Sequence, residues 1–437
     1  MAGPAGERRW TRSVTALLVT SFCTSSASLM AVTALGKQVF DLTGEELSLG
    51  LLGLAEFAPA ALLVFVSGPV ADRFDRRRVV SVAAAGEAAC GLALAWYASS
   101  GQDAVGPIFA LVVAFGVARA FIAPSARSLP ADVVAPEDLP WMVARSSITF
   151  QAALIAGPVL GGMLYALDPR APFLAMAGLL LVATVTIQLV SVRPFARRAV
   201  PAPGASAGPG RSRPSVREAM EGLRVIRDQP ILLGVISLDL FAVLFGGAVA
   251  LLPAIAEDQL GVGAVGFGWL RAAGGIGAAV VTIALARRPI RRHVGRVLLL
   301  VVAAFGLFTI VLGLTRSFVV AFLAMAALTG FDAVSVFIRG TLVPLVVTAD
   351  TRGRVLAVEN VFIGASNELG AFESGVAGQV LGTSAAVVLG GIATIAIAGT
   401  WWIVFPALRN TDRFPGSIAT GAGGPADGPA LEEPLRE

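Results

Sequence analysis

The sequence predicts an all-α membrane protein of twelve transmembrane helices in two pseudo-symmetric six-helix bundles, and three observations carry that prediction. Of 437 residues, 56% are hydrophobic and only 14% charged, with a mean hydropathy of +0.80; soluble domains carry about 25% charged residues. Apolar blocks of about 20 residues, enough to cross ~30 Å of hydrocarbon, recur along the whole length. A stretch rich in Pro, Ala, Gly and Ser lies near the midpoint, with six blocks on either side.

The blocks fall at 14–35, 49–70, 79–98, 106–124, 142–166 and 171–191, then at 230–253, 264–286, 296–315, 317–341, 356–381 and 385–407. Each must be a helix. Lipid offers the backbone no hydrogen-bond partners, and the blocks are twice too long for barrel strands. The first block follows GERRWTRS, a basic start like that of a signal peptide, but it is too long for an apolar leader core and lacks a small-x-small exit. It is therefore read as a retained first span. Residues 10–192 form the first bundle and 230–408 the second. Between them, 193–229 is a linker: 193–215 is too polar to pack a core. VREAMEGLRVIRDQ then places Val216, Met220, Leu223 and Ile226 at helical spacing, a short amphipathic helix on the inner membrane face. The tail, 409–437, is expected to be disordered.

Arginine placement sets the orientation. One set of connections holds Arg8, Arg9 and Arg12; Arg73, Arg76, Arg77 and Arg78; the stretch 193–227; and Arg287, Arg288, Arg291, Arg292 and Arg296. The alternate set holds only Lys37, Arg170 and Arg316. A multi-pass protein of the cell (inner) membrane with both termini cytoplasmic follows, the lipid bilayer being one partner. The basic pI of 9.8 reflects these loops and implies no nucleic-acid partner. Cys23 and Cys90 lie in apolar blocks and His293 in a basic loop, so neither a disulfide framework nor a metal site is expected. No P-loop G-x-x-x-x-G-K-[ST] occurs.

The two halves carry traces of a repeat. ARSLPADVVAPED, 126–138, follows the fourth block, and GTLVPLVVTADT, 340–351, follows the tenth. Val133 and Val346 are 213 positions apart, about half the chain. Two related six-helix halves with a site between them suit alternating access.

Certain stretches resemble a known family. Gly68, Asp72, Arg73, Arg76 and Arg77 in GPVADRFDRRR fit G-x-x-x-D-R-x-x-R-R, which is similar to the loop motif between the second and third spans of the major facilitator superfamily. The resemblance implies a charge network that clamps the cytoplasmic helix ends, with Arg119 as a partner for Asp72. Asp75 stands where the motif has a later glycine, and the form ADRFDRRR resembles the drug and siderophore exporter branch, which includes macrolide efflux and enterobactin exporters. GPVLGG, with Gly157, Pro158, Gly161 and Gly162, resembles the antiporter motif of exporting members. FIGASNELGAFESG and RGRV, 352–355, resemble the same branch. Val113 stands where many drug/proton antiporters carry an arginine.

Ten ionisable residues fall within the blocks: Glu56, Glu87, Arg119, Asp239, Arg271, Asp332, Arg339, Glu359, Glu368 and Glu373. Each costs at least about 2.5–3.5 kcal/mol at mid-bilayer on insertion scales, so each needs a reason. In the eleventh block, Glu359, Ser366 and Glu373 recur every seven residues, as do Asn360, Asn367 and Ser374. Two helical turns separate each member from the next, so both rows share one face, expected to line a cavity or to form an interhelical hydrogen-bond seam. Glu56, Asp239 and Glu368 are candidate proton carriers, with Arg271 as a possible partner. Asp332 and Arg339, seven apart, suggest a gating or structural cluster. Phe57, Phe241 and Trp269 are candidates to line an amphiphile site.

These residues predict secondary active export of a small amphiphilic compound (a drug, siderophore or natural product) by proton antiport. No cofactor is expected beyond the proton gradient, and the chain is expected to act as a monomer. Import or facilitated diffusion of a nutrient is the alternative, and a transport-dead sensor or scaffold a further one. An embedded enzyme would need a convergent nucleophile, base or metal set that the chain does not supply.

Overall fold

The computed structural model describes residues 10–192 and 216–415. Arg8, Arg9, the stretch 193–215, the tail beyond 415 and the Asp72 side chain lie outside the described residues. In the first half α1 (Arg12–Thr43), α2 (Glu46–Arg73), α3 (Arg76–Ser99), α4 (Gly106–Val133), α5 (Leu139–Leu167) and α6 (Ala171–Thr186) run antiparallel in sequence. After α7 (Val216–Asp228), the second half contains α8 (Pro230–Phe245), the single turn α9 (Leu252–Ala254), α10 (Gly263–Arg287), α11 (Val294–Leu314), α12 (Phe318–Val346), α13 (Ala349–Leu381), α14 (Thr383–Val404) and the short α15 (Pro406–Arg409).

Among the described residues, eleven helical segments are long and apolar enough to cross a membrane, α8 and α9 counting together as Pro230–Gln259. The twelfth span is α13. Its 33 residues are long enough, but Asp350, Arg352, Arg354, Glu359, Glu368 and Glu373 keep it out of the apolar set. The helices also outrun the apolar blocks. Helix α4 continues to Val133, nine residues past its block, and α13 begins seven residues before its own. Hydropathy marks the hydrocarbon, whereas a helix continues until a capping residue or proline stops it.

That difference corrects the reading of Lys37. It lies inside α1, which ends only at Gly44, whose left-handed φ of 61° lets its N–H reach Phe40 O. Lys37 is buried, not in a loop.

The repeat is visible in the backbone. Val134 and Val347, 213 positions apart, are the extended, buried residues that end α4 and α12. In the basic hairpin, Asp75 accepts from Arg77 N and caps α3. Arg76 pairs with Asp132 at the end of α4 at 2.7 Å, and Arg77 bonds Asp75 and Val190 O. The hairpin thus staples α3 to α4 and to the end of the sixth span.

The amphipathic helix α7 rests on α13 along one edge. Ile226 is buried, but Met220 and Leu223 are exposed, and the face laid on α13 is Gly222, against Arg354 O, with Glu221 paired to Arg354 at 2.7 Å. Gly222 lets the two backbones approach.

The halves meet along α2 with α13 and α5 with α10. A Cβ on Gly50 would lie 3.0 Å from Phe372 Cα, and one on Gly375 3.0 Å from the Gly50 backbone. A Cβ on Gly162 would overlap Ala264 O, and one on Gly268 would lie 2.6 Å from Pro158 O. Lys37 pairs across the halves with Glu257 at 3.0 Å and, within α1, with Asp41, which also accepts from Tyr165 OH. Thr383 donates to Glu46 across the same seam at 2.7 Å. All these contacts lie in the halves of the helices remote from the chain termini, which defines a sealed far end.

Gly162→Leu should open that seal without unfolding either half. Cysteine accessibility at Leu49 from the far side should rise. Gly277→Leu should instead unfold, because its Cβ would overlap Ala326 O inside one half; overpacking of this kind costs roughly 1–3 kcal/mol, read as a lower melting temperature.

Candidate functional site

A cavity of about 850 Å³ lies between the halves. Its walls are helical stripes: Leu49, Leu52, Gly53, Glu56, Phe57 and Ala60 on α2; Arg119, Ala123, Pro124 and Arg127 on α4; Gly364, Asn367, Glu368 and Ala371 on α13. The i, i+3, i+4, i+7 spacing is what a helix must show to keep one face on a shared space. The floor is at the sealed end, where Gly36 of α1 meets Pro253. Towards the termini the walls reach exposed Arg127 on α4, and the cavity opens that way.

The seventh span breaks where it faces this space. Helix α8 stops at Gly246, a 3-10 turn runs Ala248–Leu251, and a π turn runs Ile255–Gln259. Gly246, Gly247, Val249, Ala250 and Pro253 line the cavity. Behind them Gly370 is so close that its Cβ would lie 2.7 Å from Val243 O. Irregular backbone at membrane depth is tolerated where it lines a cavity. Sequence reasoning passed over this break, although FGGAVALLP carried its signal: two glycines, then a proline.

The charges sort into two groups. In the cavity, Arg119 donates to Glu56 at 2.9 Å, with side-chain exposures of 41% and 21%. Arg119 therefore belongs to the cavity wall and is engaged by Glu56, while the side chain of Asp72, its expected partner, lies outside the described residues. Glu368 also lines the cavity, half-buried against Gly53. Arg271 lines it from α10, its guanidinium 5.9 Å from the centre of the Phe267 ring.

The second group lies in the second half. Asp239 pairs with Arg339, both side chains 8% exposed, and neither lines the cavity. Asp239 thus pairs with a residue of α12, 100 positions away, and not with Arg271, the partner expected for it. Glu359 and Asp332 lie within the electrostatic reach of this pair, and Asp332 also reaches the cavity wall. Behind the α4 wall, Glu87 is fully buried, with neither carboxylate oxygen hydrogen-bonded.

Of the predicted lining residues, Phe57 and Asn367 are in place. Glu359 is buried by the second half, Asn360 is exposed and donates to Leu356 O, and Glu373 is half-buried off the cavity. Phe241 packs on Trp401, ring centres 5.6 Å apart, and Trp269 is 41% exposed; neither lines the cavity. The α13 stripe lines the cavity only from Gly364 to Ala371. Gly222 of α7 lies against Arg354 near the start of α13, and α2 meets it at Phe372. Gly157, Gly161 and Gly162 are packing residues. Gly157 and Gly161 lie against Ser26, Leu29 and Met30 of α1, and Gly162 against α10.

The chain matches the Major Facilitator Superfamily over residues 15–371 and belongs to it. Solved structures share the fold. The nucleoside transporter NupG is 15% identical, with a TM-score of 0.65, 92% of this chain and 100% of that one covered. A bacterial homologue of the human lysosomal transporter Spinster, in an inward-facing, occupied conformation, is 14% identical, with a TM-score of 0.66 and coverages of 91% and 95%. A D-xylose-proton symporter is 13% identical, with a TM-score of 0.66 and coverages of 90% and 98%. No curated protein sequence matches the chain. The protein is a multi-pass membrane transporter of this superfamily.

The two ion pairs should respond differently to truncation. Arg339→Ala strands Asp239 in a dry site, a loss of about 3–5 kcal/mol, and should sharply lower the yield of folded protein. The Asp239→Asn, Arg339→Gln double variant should recover most of it. Arg119→Ala leaves Glu56 beside water and should cost about 1 kcal/mol or less. Melting curves in detergent separate the two cases.

Proposed function

We propose that the protein exports a small amphiphilic compound (a drug, siderophore or natural product) by proton antiport with alternating access. The observation that carries this reading is the set of three ionisable groups, Glu56, Arg119 and Glu368, on facing helices of the two halves around one mid-membrane cavity. Such groups are costly in lipid and are retained where protons or charged substrates pass. Phe57, Phe305, Leu35 and Leu328 supply apolar wall for the body of an amphiphile.

In the coupling cycle, Glu56 exchanges its Arg119 partner for a proton or substrate, and Glu368, across the α2–α13 seam, takes up a proton or substrate in turn. Whichever access state binds proton or substrate more tightly gains population, and nothing else can shift the balance. The far seal, with Lys37, Glu257 and the glycine contacts, must break for release on the other side. The arginine distribution supports a cell (inner) membrane location with both termini cytoplasmic. In that orientation the cavity loads from the cytoplasm, as export requires. Each chain holds its own cavity, which suits a monomer, and the cycle calls for no cofactor besides the proton gradient.

Inverted membrane vesicles with an imposed, acid-inside pH gradient should accumulate amphiphilic fluorescent dyes drawn from an anionic, neutral and cationic panel. Collapsing the gradient should abolish accumulation, and Glu56→Gln or Glu368→Gln should reduce it at least tenfold. Gradient-independent accumulation rules out proton coupling. A deletion strain that becomes more sensitive to toxic amphiphiles supports export; loss of growth on a nutrient instead points to import.

A further inference from the structure

We propose that Arg271 anchors the ligand of this cavity, and that the ligand is an anionic amphiphile, bearing a carboxylate or a comparable oxyanion on an apolar body. The proposal rests on the cavity being the transport site and names the class of compound it takes.

Arg271 is the guanidinium in the cavity that no neighbour accounts for. Arg119 is already bonded to Glu56 at 2.9 Å, and Arg127 lies exposed at the open mouth. Arg271 is only partly exposed, and no carboxylate lies within 4.0 Å of it among the described residues. Its one described contact is with the face of Phe267. Arginine keeps its charge in proteins, so this cation stands at membrane depth without a counter-ion, an arrangement that is expensive and normally functional.

The acids of the cavity do not fill the role. Glu56, which is within electrostatic reach of Arg271, is held by Arg119. The charged neighbours of Glu368 are Glu56 and Arg119, and those of Asp332 are Arg339 and Asp239. Positive charge without a partner therefore gathers on the α10 wall. An incoming oxyanion would find there a planar fork of donors suited to bidentate bonding. It would displace no internal ion pair. On the walls of the same cavity, Leu35, Pro253 and Leu328 give apolar surface on which the rest of the molecule could lie. A cationic ligand would have to use Glu368 or Asp332 instead, and the same experiment exposes that outcome.

The test uses the full chain in lipid nanodiscs and three matched probes: 1-naphthylacetate, 1-naphthylacetamide and 1-naphthylmethylammonium. Equilibrium affinities are measured by calorimetry for the wild type, Arg271→Gln and Arg271→Lys. The wild type should bind the carboxylate at least tenfold more tightly than the carboxamide, the scale of a charge-assisted hydrogen bond. Arg271→Gln should erase that preference and leave carboxamide binding in place, while Arg271→Lys should keep part of it. A wild type that binds none of the probes, does not distinguish carboxylate from carboxamide, or prefers the ammonium overturns the proposal. So does a preference that survives Arg271→Gln. Should Arg271→Gln fail to fold, Arg271→Lys and the wild-type series decide, because the point-charge ammonium must weaken the preference at least threefold. Carboxylate binding without any dye movement in vesicles would defeat the export reading and leave this proposal standing; pumping without a charge preference would do the reverse.

Discussion

The backbone-to-backbone approach of the two halves at the far end is the constraint on which the rest of the molecule depends. Gly50 and Gly375 let α2 close on α13, and Gly162 and Gly268 let α5 close on α10. Lipid tails are as apolar as leucine, so helices in a bilayer associate through close packing and hydrogen bonds rather than through exclusion from water. Glycine provides the closest packing available. The seal it permits, reinforced by Lys37 with Glu257 and by Thr383 with Glu46, is what makes the intervening space a cavity with one opening. Because these contacts are cross-half, they are also the ones an alternating-access cycle must break.

Within that frame, burial assigns the charges their work. Asp239 and Arg339 are both nearly sealed from solvent and bind one another inside a single half, so separating them leaves an uncompensated charge in a dry site. Glu56 and Arg119 sit where water and ligand reach them, and their attachment is correspondingly weaker and exchangeable. The broken seventh span serves the same space, since its irregular turns expose backbone to the cavity instead of to lipid.

The superfamily match and the shared fold define a transporter, and they leave the cargo to the cavity's own chemistry. Relatives of the same shape include nucleoside and sugar transporters. In this cavity that chemistry includes a cation on α10 with no carboxylate within 4.0 Å among the described residues, Glu56 paired with Arg119, and an apolar floor.

The sequence by itself determined the membrane class, the helical spans, the two-half plan and the hairpin motif, because hydropathy, arginine placement and motif spacing are read along one strand of chain. It also identified Glu56, Arg119, Glu368 and Arg271 as anomalies, since a charge in an apolar block is visible without any fold. Only the tertiary structure decided their partners and surroundings. Asp239 found its partner 100 positions away on α12, Arg119 met Glu56 on α2, and only the middle turns of the α13 polar stripe line the cavity. Periodicity says which residues share a face of a helix. Which part of that face stays uncovered depends on the neighbouring helices, and their positions follow from glycine contacts between distant segments that no local pattern encodes.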